Sequence, residues 1–473
     1  MQTQRTPTRM SFNPLGRRQV EVAFDGGRIS SDGGVVLLRE TADAMALFPL
    51  LADCFRDHRD RSRIEHSVEE LVAQRILALA CGYEDLNDHD ELREDPLFAV
   101  AVGKSDPTGT ERPRQRDVGA PLAGHSTLNR IELAPEKLNP KRPDLKILHD
   151  GEAIERLFVD LFLDAHEEPP AEIVLDIDAT DNPLHGNQEG KFFHGYYDEY
   201  CYLPLYVFCG SHLLAVKLQT ADQGESKGGV PELQRIVAHI RERWPEVRIL
   251  IRGDAAYCRD ALMTWCEESV GIDYVVGFAR NPRLLRQIEG ELAQAVETCA
   301  ATKKSARTFK DLRYQTENTW SRERRVVAKA EALPGKQNPR FIVTSLPVER
   351  IDARTLYEDV YCARGDMENR IKEQQLGLFS DRTSAHTLRA NQLRLWFSGL
   401  AYVLVDTLRR RALVGTELAK AQAWTLRDKL FKIGASVRVT VRRVWVSLSS
   451  AYPHAALFIR ARDQLRASYP TVF

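Results

Sequence analysis

Much that would announce a function is missing from this sequence. Its 473 residues contain no apolar run approaching the roughly 18 needed to cross a bilayer, so no membrane partner is expected. The opening stretch, MQTQRTPTRMSFNPLGRR, is polar and basic and lacks the apolar segment of a secretory signal. None of the eight cysteines forms a CxxC pair, and their scatter points to reduced thiols and a cytoplasmic location. No phosphate-binding loop or GxGxxG turn follows a strand, which removes the usual nucleotide-cofactor classes. No internal repeat or low-complexity tract is present. The net charge is −1, so the overall balance does not announce a nucleic-acid partner.

What is present is an ordinary globular composition, 43% hydrophobic and 28% charged, with the charge unevenly distributed. Basic clusters stand at 140–146, 302–313, 321–325, 409–411 and 438–443, while acids gather in 82–96. Local basic stripes can bind a phosphate backbone whatever the net charge; each is equally well a solvated face. Residues 17–40 read as short strands whose Gly-Gly pairs mark turns. Ser67 and Glu70 have capping-box spacing ahead of a helix that runs to Gly82. Helices are expected at 88–104 and 151–166, a loop at 105–124, and a helix capped by Ser126 at 125–132. After Pro169 the order becomes strand, hairpin turning at Gly210-Ser211, helix (228–244), strand, helix (259–270), strand (273–279), which predicts a mixed sheet with helices packed on it. Residues 282–347 read as a strand-rich insertion, and the chain beyond 352 as mainly helical.

The acids carry the chemistry. EIVLDIDATD (172–181) is an apolar strand that ends in Asp176, Asp178 and Asp181. Side chains alternate along a strand, so Val174, Asp176 and Asp178 share one face and Ile173, Leu175 and Ile177 the other. A second strand, RILIRGDAAY, also terminates in an acid, Asp254. Two such strand ends side by side would set carboxylates against each other, which is unfavourable without a cation. Oxygen donors of this kind suit Mg²⁺ or Mn²⁺. The competing reading is that these acids cap turns. In YCARGDMENRIKEQQ (361–375), Tyr361, Arg364, Glu368, Lys372 and Gln375 fall on one helical face. That polar face is either a surface salt-bridge ladder or a site in which Glu368 supplies a third carboxylate and Arg364 and Lys372 hold phosphates.

Together with GYEDLNDHDELREDP, STLNR and DIDATDNPLHGNQEGKFFHGYYDEYCYLPLYVF, these stretches resemble a DDE transposase of a bacterial insertion sequence, in particular the group numbered thirteen-eighty within the Tyr-Arg-Glu-Lys signature set. The resemblance implies an α/β, RNase H-like mixed sheet with flanking helices at 169–281 and 348–405. The strand-rich insertion would be 282–347, with a strand-rich 1–60, a helical DNA-end-binding region at 61–168 and a basic helical region at 406–473. It places the catalytic, metal-binding triad on Asp178, Asp254 and Glu368, with Asp176 the rival for the first position, and implies Mg²⁺, for which Mn²⁺ substitutes. Tyr361 and Arg364 match the signature; its lysine position holds Gln375, and Lys372 lies one turn after Glu368. Trp320 in the insertion is a candidate for stacking on a flipped base, its alternative being a core tryptophan. Arg130 and Lys137 are candidates for contacting DNA ends. The implied activity is cleavage at terminal inverted repeats and joining to target DNA by a homodimer. A metal-dependent nuclease without strand transfer, or an inactive DNA-binding remnant, are the alternatives.

Overall fold

The computed structural model describes residues 8–137, 141, 146–223 and 227–468. Most of the basic stretch 140–146 therefore lies outside the described residues. No described helix is long and apolar enough to cross a membrane. The chain divides into two compact units, 150–403 and a second made of 1–149 with 404–473.

The unit 150–403 is built on a nine-stranded mixed sheet. The strands are β1 (Glu172–Ala179), β2 (Leu205–Cys209), β3 (His212–Lys217), β4 (Arg248–Gly253), β5 (Ile272–Phe278), β6 (Ala306–Tyr314), β7 (Arg324–Leu333) and β8 (Arg340–Thr344). They lie in the order β3-β2-β1-β4-β5-β8-β7-β6, with Lys336–Gln337 added beside β7. The first three strands are antiparallel, while β1, β4 and β5 run parallel. This 3-2-1-4-5 arrangement is RNase H-like, as expected. The insertion adds to it: β8 pairs antiparallel with β5, so the insertion's strands extend the same sheet. Two helices, Pro282–Gln287 and Glu289–Thr302, precede them.

Alternation along β1 decides which face meets what. Ile173, Leu175 and Ile177 are buried with Phe162 of α1 (Gly151–Asp164) and Leu233, Ile236 and Ile240 of α2 (Gly229–Arg243). Truncating a residue such as the fully buried Leu175 to alanine removes packing worth about 2–5 kcal/mol. Val174, on the opposite face, packs with Leu250, Val275, Ile342, Leu356 and Tyr357, so a second layer covers that side up to the acids. That layer is the helical segment 353–378. It starts behind the Asp352 cap, winds wide over Leu356–Tyr361, tightens over Cys362–Arg364, and becomes the regular helix α3 (Gly365–Leu378).

In the other unit the capping box forms as the spacing implies. Ser67 Oγ accepts from the Glu70 amide at 3.1 Å, and the Ser67 amide donates to Glu70 Oε2 at 2.9 Å, opening the helix Val68–Cys81. Several local expectations are corrected. Gly33-Gly34 leads into a helix, Val35–Ala44, instead of a turn between strands. A Cβ on Gly34 would stand 1.7 Å from the Leu430 carbonyl oxygen, so the pair serves close packing. The expected helix 88–104 is two, Asp88–Leu92 and Pro96–Val102, because Asp95 caps a new start and Pro96 lacks the amide to continue the old one. The helix His125–Glu132 begins after Gly124, with no side-chain cap from Ser126. Beyond 430 the chain is not wholly helical. Ala435–Val439 and Val444–Leu448 form a hairpin, β-branched valines favouring strand, and Ala435–Val439 also pairs with Ile29–Ser30.

Candidate active site

The ladder between β1 and β4 brings the two acidic strand ends together. Arg252 lies beside Asp176 and Gly253 beside Ile177, so Asp254 follows at the carboxyl end next to Asp178. The two rival acids on β1 have different surroundings. Asp176 is 4% exposed and bound by Arg252, whose Nη2 donates to Oδ2 at 2.7 Å and whose Nε donates to Oδ1. Arg252 also donates to the Val360 carbonyl, pinning the covering helical segment. Asp176 is therefore neutralised by a buried partner. Sequence reading missed this pair; its signal was Arg252, a charge set directly after the aliphatic run Ile249–Ile251 and two positions before Asp254.

Asp178 sits at the mouth of the sheet. Burial pushes its carboxyl up to about 6, the Arg364 guanidinium opposes that rise, and the neighbouring Asp254 charge adds to it. Asp254 Oδ1 accepts from the Ala256 amide at 2.9 Å, so it caps the following turn while facing Asp178 across the strand ends. Arg364 links two of the acids: Nη1 donates to Asp178 Oδ2 at 2.7 Å and Nη2 to Glu368 Oε1 at 2.9 Å. The salt-bridge ladder is thus real for Arg364 and Glu368, and it reaches across to β1. Glu368 is half-exposed at its side chain, and Lys372 is exposed one turn further on. Gln375, in the place of the signature lysine, turns inward and donates to the Asp181 carbonyl at 3.0 Å.

Tyr361 ends the wide turn before Arg364, and its phenol reaches β5. A Cβ added to Gly277 on β5 would meet Tyr361 Oη at 2.6 Å and the Ala255 amide nitrogen at 2.9 Å. Only a glycine lets that phenol approach the Asp254 turn, a role the sequence VVGF did not betray. Tyr361 rests against Tyr357, ring centroids 5.6 Å apart, and opens on a cavity of about 610 Å³ lined also by Ala255, Arg280, Lys336 and Arg340. Those three cations have no ion-pair partner among the described residues. Trp320 does not join the site. It is 6% exposed, packed on Phe278 at 4.8 Å and Tyr314 at 5.9 Å with Arg324 over its ring, and so has no open face for a base. Arg130 and Lys137 are exposed on the other unit.

Among the described residues no three His, Cys, Asp or Glu side chains are close enough to hold an ion together as placed. The donor chemistry nevertheless fits a hard divalent cation: Asp178, Asp254 and Glu368 offer carboxylate oxygens only, and the first two repel each other. Arg364 supplies the positive charge between Asp178 and Glu368.

An RNase H-like sheet with acids at the ends of its first and fourth strands, covered by a helix bearing a third, defines the class of this protein. A family model described as transposase DDE domain group 1 matches residues 12–470, and the chain belongs to that family. No curated protein matches it in sequence. Among solved structures it is similar to a piggyBac transposase in a synaptic complex with hairpin DNA, with a TM-score of 0.41 and 11% identity over 83% of this chain and 78% of that one.

Proposed function

We propose that this transposase cuts the terminal inverted repeats of a bacterial insertion sequence of the group numbered thirteen-eighty and joins them to target DNA, working as a homodimer. The observation that carries the reading is the meeting of Asp178 and Asp254 at adjacent parallel strand ends beneath the Arg364–Glu368 helix. Asp178, Asp254 and Glu368 would hold Mg²⁺ or Mn²⁺, whose chemistry when bound is to activate a water or 3′-hydroxyl and to stabilise the departing oxygen. Asp178 ionises to serve as ligand, and Arg364 leaves its oxygen for a phosphate of the DNA strand, matching guanidinium to phosphate geometry. Asp176 stays with Arg252 and holds the strand end in place. Arg280, Lys336 and Arg340 line the path of the strand beside Tyr361. No nucleophilic serine or cysteine is required, because the same acids serve cleavage and joining.

The test is strand transfer by purified protein with pre-cleaved ends and Mg²⁺. Joined product is expected; cleavage of intact ends without any joining would instead make the protein a nuclease. Asp254→Asn abolishes both steps in this reading, and undiminished Mg²⁺-dependent cleavage by that variant would refute the triad.

A further inference from the structure

A cavity of about 600 Å³ lies wholly within the unit formed by 1–149 and 404–473, and it is lined by seven arginines. Three of them are committed to acids: Arg59 to Asp57 at 2.7 Å, Arg93 to Asp117 at 2.8 Å and Arg112 to Glu65 at 2.9 Å. Three at the rim have only loose contacts, Arg63 at 3.5 Å from Asp60 and Arg114 and Arg116 each at 3.7 Å from an acid. Arg130 has no ion-pair partner among the described residues. Against the seven arginines the lining holds four acids, Asp60, Glu65, Asp90 and Asp117, which leaves an excess of three positive charges. Counting Asp57 behind Arg59 still leaves two.

A further observation says that this charge is not fully satisfied from within. The Nε groups of Arg93 and Arg112 are buried and have no hydrogen-bond partner among the described residues. Such donors are costly to leave unmade and are completed by an oxygen-rich ligand. The cavity wall also includes Gly124, His125, Ser126 and Thr127, the amino end of the helix His125–Glu132, where Asp90 Oδ1 accepts from the His125 amide at 3.0 Å. His66, 5% exposed, accepts at Nε2 from Arg112 Nη1 at 3.1 Å, and is surrounded by the Arg59, Arg93, Arg112 and Lys104 charges.

We infer that this arginine cavity is a phosphodiester clamp that seats the backbone of duplex DNA, apart from the residues of the catalytic site. It rests on the reading that the substrate is DNA, but not on the identity of the catalytic acids. The planar guanidinium groups suit bidentate phosphate contact, and backbone contact positions DNA without reading its bases.

The test uses full-length protein, a 30-bp mixed-sequence duplex and no divalent cation, with affinity measured across a salt series. Arg114 and Arg130 are exposed, so Arg114→Gln/Arg130→Gln removes two contacts with little expected effect on folding. Each lost phosphate contact lowers the slope of log affinity on log salt by about 0.9, giving roughly 60-fold weaker binding at 0.1 M salt for the pair. The charge-matched control Arg462→Gln/Arg466→Gln, on the C-terminal helix of the same unit, is expected to keep the wild-type slope. Arg114→Lys/Arg130→Lys retains both charges and is expected to retain most of the slope. An unchanged slope in Arg114→Gln/Arg130→Gln, or an equal loss in the control pair, overturns the clamp; a retained slope in the lysine pair shows that the glutamine pair lost charge and not its fold. Because binding is read without a divalent cation, absence of joining with the expected salt slopes fails the catalytic reading alone, whereas joining by the wild type with an unchanged slope in Arg114→Gln/Arg130→Gln fails the clamp alone.

Discussion

The pair Asp176→Asn and Asp178→Asn separates two acids that stand two residues apart on one strand face. At Asp176 the substitution leaves the Arg252 guanidinium, 10% exposed at its side chain, without its counter-charge. Breaking one side of a buried ion pair costs about 3–5 kcal/mol. For a unit of this size each kcal/mol shifts the unfolding midpoint by about 2–4 °C, so a fall of roughly 6–20 °C is expected. At Asp178 the balance is reversed. Burial and the Asp254 charge hold its carboxyl at about 6 despite Arg364, above its ordinary value of 3.8. Its stabilising contribution is present below pH 3.8 and is lost as pH rises through 6. At pH 7.5 Asp178→Asn should therefore unfold no lower than wild type. Cleavage of end DNA with Mg²⁺ should fall at least about 100-fold in Asp178→Asn, the scale of a lost transition-state contact, while folded Asp176→Asn stays within a few-fold of wild type. Differential scanning calorimetry and a gel cleavage assay at 20 °C read both quantities. The opposite pattern, with a stable but inactive Asp176→Asn and a destabilised but active Asp178→Asn, would refute the assignment and the electrostatic reasoning behind it.

Other expectations concern separate parts of the molecule. His66 is held neutral, burial and then the Lys104 and arginine charges pushing its imidazole down to about 2. Since its unfolded value is 6.5, stability falls as pH drops below that point, by about 2 kcal/mol at pH 5; urea unfolding should show this slope and His66→Gln should flatten it. Trp320→Ala should cost about 3–5 kcal/mol in the same measurement through lost core packing, and a variant that instead unfolds like wild type but loses DNA affinity would restore the base-stacking role. Gly277→Ala forces Tyr361 or the Asp254 turn to move, so cleavage should drop with a stability loss of about 1–3 kcal/mol, and unchanged activity would show that the close approach is dispensable. Mg²⁺ at 100 times its dissociation constant should stabilise the wild type by about 2.7 kcal/mol in thermal unfolding, and a Glu368→Gln variant that gains as much would remove Glu368 from the ligand set.

Period-two alternation in EIVLDID and the aliphatic run of RILIRG were enough to establish β1 and β4 and to put acids at their ends, because a strand's facing is local information. The capping box at Ser67 and Glu70 was equally local, since both partners lie within one turn. The wound-wide turn at Leu356–Tyr361 was not legible, because it answers to Tyr361 packing over Gly277, some eighty residues earlier in the chain. Nor could the sequence choose between Asp176 and Asp178. They share a face and a strand, and only the parallel register beside β4 assigns Arg252 to one and leaves the other to Asp254 and Arg364. The insertion read as a separate strand-rich piece, but its β8 joins β5 because an open sheet edge was there to be paired. What the sequence determined by itself was the strands that end in acids and the acids themselves. Which charges neutralise one another was decided by the tertiary structure, because electrostatic energy depends on distance in space and on burial.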